Sequence, residues 1–507
     1  MVKFIKSITK SIKHGIKNDP EINKFYNKHP KLCHFFKKRF TADEKYGLYL
    51  TFGIIFTLIF IYIFFGITQD YIGQENLIQF DLRVINLLAV LRHSRLNQQM
   101  LFITYLAKGE IITIGMLVFC TIFYLHKNWR FLYTLLISVG GSEIFVWIIK
   151  NTIDRPRPPL TSALIAESSY SFPSGHTFVA IAFYGLLSYF IIQSEKNKSL
   201  KIISFIVSFL LIILIGISRV YLGAHWPSDV FASFAVGAAW ISILITSLKI
   251  KKKFSPLPKI KVNFSPKIIN YFAYSLVLVW AAFIISFYIT HPLQPKNIIE
   301  TQKITIETNQ IAEKLFEHLP KISESITSLP AEPINIIIVG NQDKINQAFI
   351  QSGWYLLDQP SIKGYTKIIT SFLGKKFYPQ TPGLPVFWAT QPNKIGYGKP
   401  TDQSFTSSRQ HIHLWETNFT DSNGNQIWVG TAHFDEEIQK KFGIVMPFHS
   451  TELKVDIERE MIKSELEAKG FIQTSETVNL TGLMYGSKKG SGNSFLTDGQ
   501  AYILYMK

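Results

Sequence analysis

The chain has 507 residues, 47% of them hydrophobic, and a formal charge of +18. That length holds two or three domains, and two cysteines are too few for a disulfide framework. The charge does not mark a nucleic-acid binder, because it belongs wholly to the hydrophobic half: residues 1–290 hold 32 Lys and Arg against 13 Asp and Glu, and residues 291–507 hold 21 against 22.

Residues 1–45 form a basic leading segment, too long and too charged for a cleavable signal peptide, and are expected on the cytoplasmic side. Seven apolar stretches follow, each at or near the roughly 20 residues that a spanning helix needs. They are Tyr46–Ile67, Ile111–Leu125, Phe131–Ile149, Thr177–Gln193, Ile202–Ser218, Val230–Leu248 and Ile268–Thr290. The second is short and needs Leu106 and Ala107, beyond Lys108 and Glu110, to reach across. Between the first two, Phe80–Leu106 is amphipathic and reads equally well as an interfacial helix or a covering loop. Cys33 falls in the basic segment and Cys120 in an apolar run, and no Cys/His spacing suggests a metal.

With the N-terminus inside, segments 1–45, 126–130, 194–201 and 249–267 are inside and carry 24 Lys and Arg, whereas the outside segment 68–107 carries three. Such an excess marks the cytoplasmic side. Residues 150–176 and 218–229 then lie together on the outer face.

Three polar clusters fall there: Lys150 with Arg157-Pro158, then Pro173-Ser174-Gly175-His176, then Ser218-Arg219 with His225 and Asp229. Phosphoryl transfer spreads negative charge over three equatorial oxygens. Lys150, Arg157 and Arg219 supply three cations, two of them guanidiniums able to grip oxygens in pairs. Ser174 adds a hydroxyl, and Gly175 a backbone N–H at a helix start, where anions are favoured. His225 and Asp229, four apart, are expected to share a face in the first turn of a span. The carboxylate would fix the tautomer and leave the other ring nitrogen to attack phosphorus. His176 would protonate the leaving group and then deprotonate water. The membrane half shows no carboxylate cluster suited to a metal, so neither metal nor cofactor is expected. Arg155 is balanced between a snorkelling anchor and a site residue. Glu143, inside the span Phe131–Ile149, is balanced between a partner for Lys150 and a packing role.

The segments KNTIDRPRP, PSGH and SRVYLGAHWPSD resemble the three signature motifs of the type 2 phosphatidic acid phosphatase (PAP2) superfamily, across roughly residues 46–248. Every signature position is filled: Lys150, Arg157, Pro158, Pro173, Ser174, Gly175, His176, Ser218, Arg219, His225 and Asp229. The resemblance implies a six-helix core and a metal-independent phosphatase of lipid phosphates or diphosphates, with His225 as nucleophile. A lipid phosphotransferase of the same fold is one alternative. A non-catalytic lipid-binding or assembly protein acting through the C-terminal half is another.

Residues 291–330 read as a linker with a helical piece at Gln310–Glu317. Residues 331–507 read as an α+β domain, with strands at Ile334–Val339 and Trp428–His433 and helices at Lys344–Ser352 and Glu458–Lys469. PINIIIVGNQDKINQAFIQSGW, SSRQHIHLWE, WVGTAHFD and VDIEREMIKSEL resemble the LssY C-terminal domain, a likeness that implies no reaction. His411 and His413 would share one face of a strand. With His433 they invite a metal, but no third ligand stands at a diagnostic spacing, so a polar strand face is favoured.

The expectation is an all-α polytopic membrane domain followed by a soluble α+β domain. A six-helix phosphatase core spans 46–248, and 249–290 adds a basic loop and a seventh helix. The wording around His225 is bacterial in style, and the expected place is a bacterial cytoplasmic membrane, with site and C-terminal domain periplasmic. A lipid phosphate is the expected partner; which lipid, and which protein partners, the residues leave open.

Overall fold

The computed structural model describes residues 19–41, 47–73, 75–159, 163–254, 266–293, 302–327, 329–359, 362–374, 376–383, 385–404, 407–435, 439–441, 444–448, 455–487 and 494–507. Parts of the expected leading segment (1–18 and 42–45), the first residue of the first expected span (Tyr46), and parts of the basic loop (255–265) and linker (294–301 and 328) therefore lie outside the described residues.

Two short helices, α1 (Pro20–Lys28) and α2 (Pro30–Arg39), lead into the first long one, α3 (Leu48–Gly73). The amphipathic stretch is helical: α4 (Glu75–Val90) and α5 (Ser94–Tyr105), the latter bent by 45° against α6 (Gly109–Leu125). Then come α7 (Trp129–Ile153), α8 (Gly175–Ser194, with a wide π turn at Ile181–Gly185), α9 (Lys198–Tyr221), α10 (Pro227–Phe254) and α11 (Pro266–Thr290). Six of these helices are long and apolar enough to cross a membrane, and the bent pair α5–α6 meets the same measure when its two helices are taken together. Taken with α5, the apolar run Ile111–Leu125 has the length that it lacks alone.

The bundle closes where small residues admit large ones. A Cβ on Gly141 of α7 would stand 2.5 Å from the Trp240 ring of α10, and that indole donates to the Ser138 carbonyl at 3.0 Å. Phe64, Phe172, Phe178 and Val146 fill the space between α3, α7 and α8. Helix α4 is more than an interfacial cover, because Ile85 packs on Val220, Trp226 and Val230 at the ends of α9 and α10.

The C-terminal half is built on an eight-stranded mixed sheet. Its strands are β1 (Ile304–Thr305), β4 (Ile336–Val339), β5 (Tyr355–Leu356), β8 (Ile395–Pro400), β9 (Arg409–Thr420), β10 (Gln426–Asp435), β11 (Ile472–Asn479) and β12 (Gln500–Met506). The order is β11-β12-β4-β10-β9-β8-β5, with β1 beside β9. A smaller sheet holds β2 (Ile322–Glu324), β3 (Pro330–Pro333), β6 (Phe387–Trp388) and β7 (Gln391–Pro392).

Both faces of the main sheet are covered, which is why β4 reads IIIV without alternation. Ile336 and Ile338 face α12 (Gln342–Gln351) and α13 (Val455–Ala468) through Phe349, Ile462 and Leu466. Ile337 and Val339 face Ile306, Ile311, Leu315 and Phe316. Those four residues fall in the expected linker; from Ile304 onward that segment is part of the domain, because its apolar residues cap the second face. Polar contacts tie the halves together, among them the pairing of Arg83 of α4 with Glu324 of β2 and the bond from the Asn86 amide to the Thr390 carbonyl at 3.0 Å.

Phe349 is fully buried and stacks on Tyr397 with ring centroids 4.3 Å apart. Phe349→Ala is expected to destabilise the C-terminal domain by about 3–5 kcal/mol, read by urea unfolding under tryptophan fluorescence. A change below about 1 kcal/mol would contradict this packing.

Candidate active site

Chain alternation brings the C-terminal ends of α7 and α9 and the N-terminal ends of α8 and α10 to one end of the bundle. All the polar clusters singled out in the sequence lie there. At the centre is Arg155, 2% exposed and no snorkelling anchor. Its guanidinium donates to Asp229 Oδ1 at 2.6 Å, Ser228 Oγ at 2.7 Å and Asp81 Oδ2 at 2.6 Å. Its planar face lies 4.3 Å from the Tyr71 ring centroid. Asp81, from α4, also accepts the Ser228 backbone N–H at 3.0 Å.

Asp229 turns its second oxygen to the histidine. Oδ2 accepts the Trp226 N–H at 2.9 Å and the Ser171 hydroxyl, and stands 3.4 Å from His225 Nδ1. His225 precedes α10 by two residues rather than occupying its first turn, as the sequence suggested. The two groups still meet because the Trp226 N–H draws the carboxylate back over the turn. His225 is 1% exposed. Burial first, then the charges of Arg219, Arg157 and Lys150, push its imidazole well below the usual histidine value. At neutral pH the ring is therefore uncharged and keeps a lone pair.

The cations surround that ring. Arg157 NH1 lies 3.3 Å from His225 Nε2, while its other N–H groups take the carbonyls of Ser169, Tyr170 and Ala224. Lys150 Nζ donates to Ser169 Oγ at 2.9 Å and to the Tyr170 carbonyl at 2.6 Å. Arg219, 1% exposed, donates to Thr104 Oγ1 at 2.9 Å and Glu167 Oε1 at 2.5 Å. Its buried Nε has no acceptor among the described residues. Burial alone would raise the Glu167 carboxyl, but Arg219, Arg157 and Lys150 together hold it below the ordinary value.

Ser174 caps α8, with its hydroxyl 2.9 Å from Thr177 Oγ1, and Gly175 and His176 open the helix. His176 stands within electrostatic reach of Arg219, His225, Lys150 and Arg157. The Ser218 hydroxyl bonds back to the Ile215 carbonyl and takes no part. Glu143 stays on the exposed face of α7 while Lys150 turns to the loop. A cavity of about 880 Å³ opens beside the cations, lined by Trp147, Lys150, Arg157, Glu167 and Tyr170 among others. The carboxylates here, Asp81, Asp229 and Glu167, are each held by a guanidinium, so the donor set suits an anion and not a cation.

Asp81, Glu167, Ser171 and Thr104 escaped the sequence reading. The one signal for Asp81 was a carboxylate isolated within an amphipathic stretch; the others carried none.

A bundle of membrane helices that gathers three cations around two histidines at one end has the makings of a phosphatase. Residues 129–253 match the PAP2 superfamily, and residues 316–501 match the LssY C-terminus. Phosphatidylglycerophosphatase B of Bacillus subtilis is 31% identical over 183 residues, covering 35% of this chain and 87% of that protein. An undecaprenyl-diphosphatase of Sulfolobus acidocaldarius is 26% identical over 209 residues, covering 40% of this chain and 94% of that protein. The crystal structure of a PAP2-type phosphatidylglycerolphosphate phosphatase from Bacillus subtilis aligns at 25% identity and a TM-score of 0.37, over 40% of this chain and 99% of that one. The chain belongs to the PAP2 superfamily and is a membrane phosphatase of that family, with an LssY-type C-terminal domain.

Asp81 reaches the site through Arg155 and through Ser228, the neighbour of Asp229. Asp81→Asn should therefore lower kcat by about 10–100-fold with little change in KM, since small misplacements of a reacting group cost rates of that order. An unchanged kcat in that variant would show that the Arg155 bridge positions nothing.

Proposed function

We propose that the protein hydrolyses the phosphate of a membrane lipid, a phosphomonoester or a diphosphate presented at the outer leaflet, through a phosphohistidine on His225 and without a metal. The observation that carries this is the environment of His225: a neutral ring with Asp229 at Nδ1 and Arg157 beside Nε2. Held by Asp229, Nδ1 keeps the proton and Nε2 keeps the lone pair.

Arg157, Lys150 and the unpaired Nε of Arg219 take the phosphate oxygens, exchanging loop carbonyls for stronger, charge-assisted bonds. Backbone N–H groups at the start of α8, beyond Ser174 and Gly175, add to them. The Nε2 lone pair forms an N–P bond as the bond from phosphorus to the lipid oxygen breaks. His176, which takes up a proton once the phosphate anion is bound beside it, gives that proton to the oxygen. Neutral His176 then takes a proton from water, the water oxygen attacks phosphorus, the N–P bond breaks and inorganic phosphate leaves.

The names of the relatives, a phosphatidylglycerophosphatase and an undecaprenyl-diphosphatase, support a lipid-borne phosphate. The Lys and Arg pattern of the loops supports an N-terminus inside and a site facing outward, in a bacterial cytoplasmic membrane.

The detergent-solubilised protein is expected to release phosphate from such lipids in EDTA. His225→Ala should abolish release, and His176→Ala should slow it by about 100-fold or more, within the range for general acid–base groups. Rapid acid-free quenching should trap a base-stable phosphoenzyme in the parent and none in His225→Ala. Turnover by His225→Ala at the parent rate would overturn the mechanism.

A further inference from the structure

A second cluster of histidines lies in the C-terminal domain, away from the phosphate site. Strands β9 and β10 form a hairpin in which His411 is paired directly with His433 and His413 with Thr431. Side chains two apart share a face, so His411, His413 and His433 all project to the same side of the sheet. Their ring centroids are 4.2, 4.9 and 5.5 Å apart, and one ring nitrogen from each lies within 4.8 Å of one from each of the others. All three are buried, with exposures of 2, 3 and 4%.

The carboxylates beside them have a definite arrangement. Asp435 stands 2.8 Å from His411 Nδ1 through one oxygen and 3.1 Å from His433 Nε2 through the other. Arg409 holds the same Asp435, at 3.1 Å. Glu332 of β3, 1% exposed, places Oε2 3.2 Å from His433 Nδ1. With the Asp435 bonds made, the outward nitrogens are His411 Nε2, His413 Nδ1 and His433 Nδ1. His411 Nε2 and His413 Nδ1 are buried without a hydrogen-bond partner, and His433 Nδ1 faces the Glu332 carboxylate.

The histidines pack into space left by glycine. A Cβ on Gly383 would stand 2.9 Å from His411 Cε1 and 3.4 Å from His413 Cε1, and one on Gly396 would lie 3.7 Å from His411 Nε2.

Two accounts compete. A protonated His433 between Glu332 and Asp435, balancing Arg409, would satisfy those four groups. It would leave His411 Nε2 and His413 Nδ1 buried without partners, at about 1–3 kcal/mol each. A divalent cation uses every one of these atoms. A carboxylate on the far nitrogen of a ligating histidine is what fixes its tautomer and orientation, and Asp435 does this for two rings at once.

We infer that His411, His413 and His433, with Glu332 as fourth ligand, form a closed site for a zinc-like divalent cation that joins β9, β10 and β3. Three imidazoles and a carboxylate suit Zn²⁺, and four protein ligands without an open position make a structural site. Tetrahedral Zn–N bonds of about 2.0–2.1 Å place ligand nitrogens about 3.3 Å apart, so the rings close in modestly on binding.

The test uses the full-length protein in detergent, without a histidine tag, stripped with chelator, reloaded with Zn²⁺ and desalted. Metal per chain is then measured by mass spectrometry, and Co²⁺ loading is followed by its visible absorption. The parent and His225→Ala are expected to retain about one equivalent, with the intense bands of tetrahedral Co²⁺. His413→Ala should lose at least about ten-fold in retained metal, and its thermal transition should no longer respond to chelator. Glu332→Gln, which keeps the volume of the fourth ligand, should weaken retention and guards against a His413→Ala chain that fails to fold. A folded parent that retains less than about a tenth of an equivalent, or a His413→Ala chain that retains as much as the parent, would overturn the site.

Discussion

The phosphate site depends on one buried guanidinium. Arg155 comes from the loop after α7, yet it fixes groups on two other elements, Asp81 on α4 and Asp229 on α10. A pair of carboxylates so fully buried would be prohibitive without it, and losing one partner of such a pair typically costs about 3–5 kcal/mol. With it, Asp229 is locked in the rotamer that meets His225, and α4 is pinned across the mouth of the bundle. The arginine thus ties a helix that could merely lie in the interface into the frame around His225.

The same frame explains how three cations coexist around a neutral histidine. Like charges gathered in a low-dielectric pocket repel, and each lacks water. Loop carbonyls at Ser169, Tyr170 and Ala224 meet most of their donors, and Glu167 supplies a carboxylate to Arg219. The carboxylate on Arg219 occupies the role that an oxyanion of the substrate would take. Because these acceptors lie on the 154–174 connection and at 222–226, the proposed phosphate would exchange partners there rather than on the helices, with the cost of organisation met in folding.

What was legible in the sequence follows from range. The three motifs were readable because each is a short covalent word whose residues stay neighbours after folding, and the spans were readable because a membrane demands length and apolarity. Asp81, Glu167 and Thr104 were not, since each meets its arginine only across a long loop of chain. Arg155 stood undecided for the same reason: a lone arginine at a helix end looks alike whether it faces lipid or two acids. The histidine cluster lies between these cases. The turn after β9 is marked by Asp421, whose carboxylate accepts the N–H groups of Asn423 and Asn425, and by Gly424 at φ +81°. Counting outward from that turn puts His433 on the face of His411 and His413. A register shift beyond Gln426 changes which residues oppose one another, but by the final pairing it does not change the face.

The two histidine clusters show how the surrounding charge decides what an imidazole lone pair is for. Around His225 the nearest ionised neighbours of Nε2 are cations, and the one carboxylate is reserved for Nδ1. An incoming group must be anionic to be held there, as the proposed attack of the lone pair on phosphorus requires. Around His411, His413 and His433 the neighbours are Glu332 and Asp435, with Arg409 set behind Asp435. There the field favours positive charge, raising His433 to about 9 against the opposing effect of its burial, while burial and Arg409 hold His411 to about 3. Burial is common to both clusters, so it is the sign of the second ring of charge, not the histidines themselves, that separates the nucleophile proposed at His225 from the ligands proposed on β9 and β10.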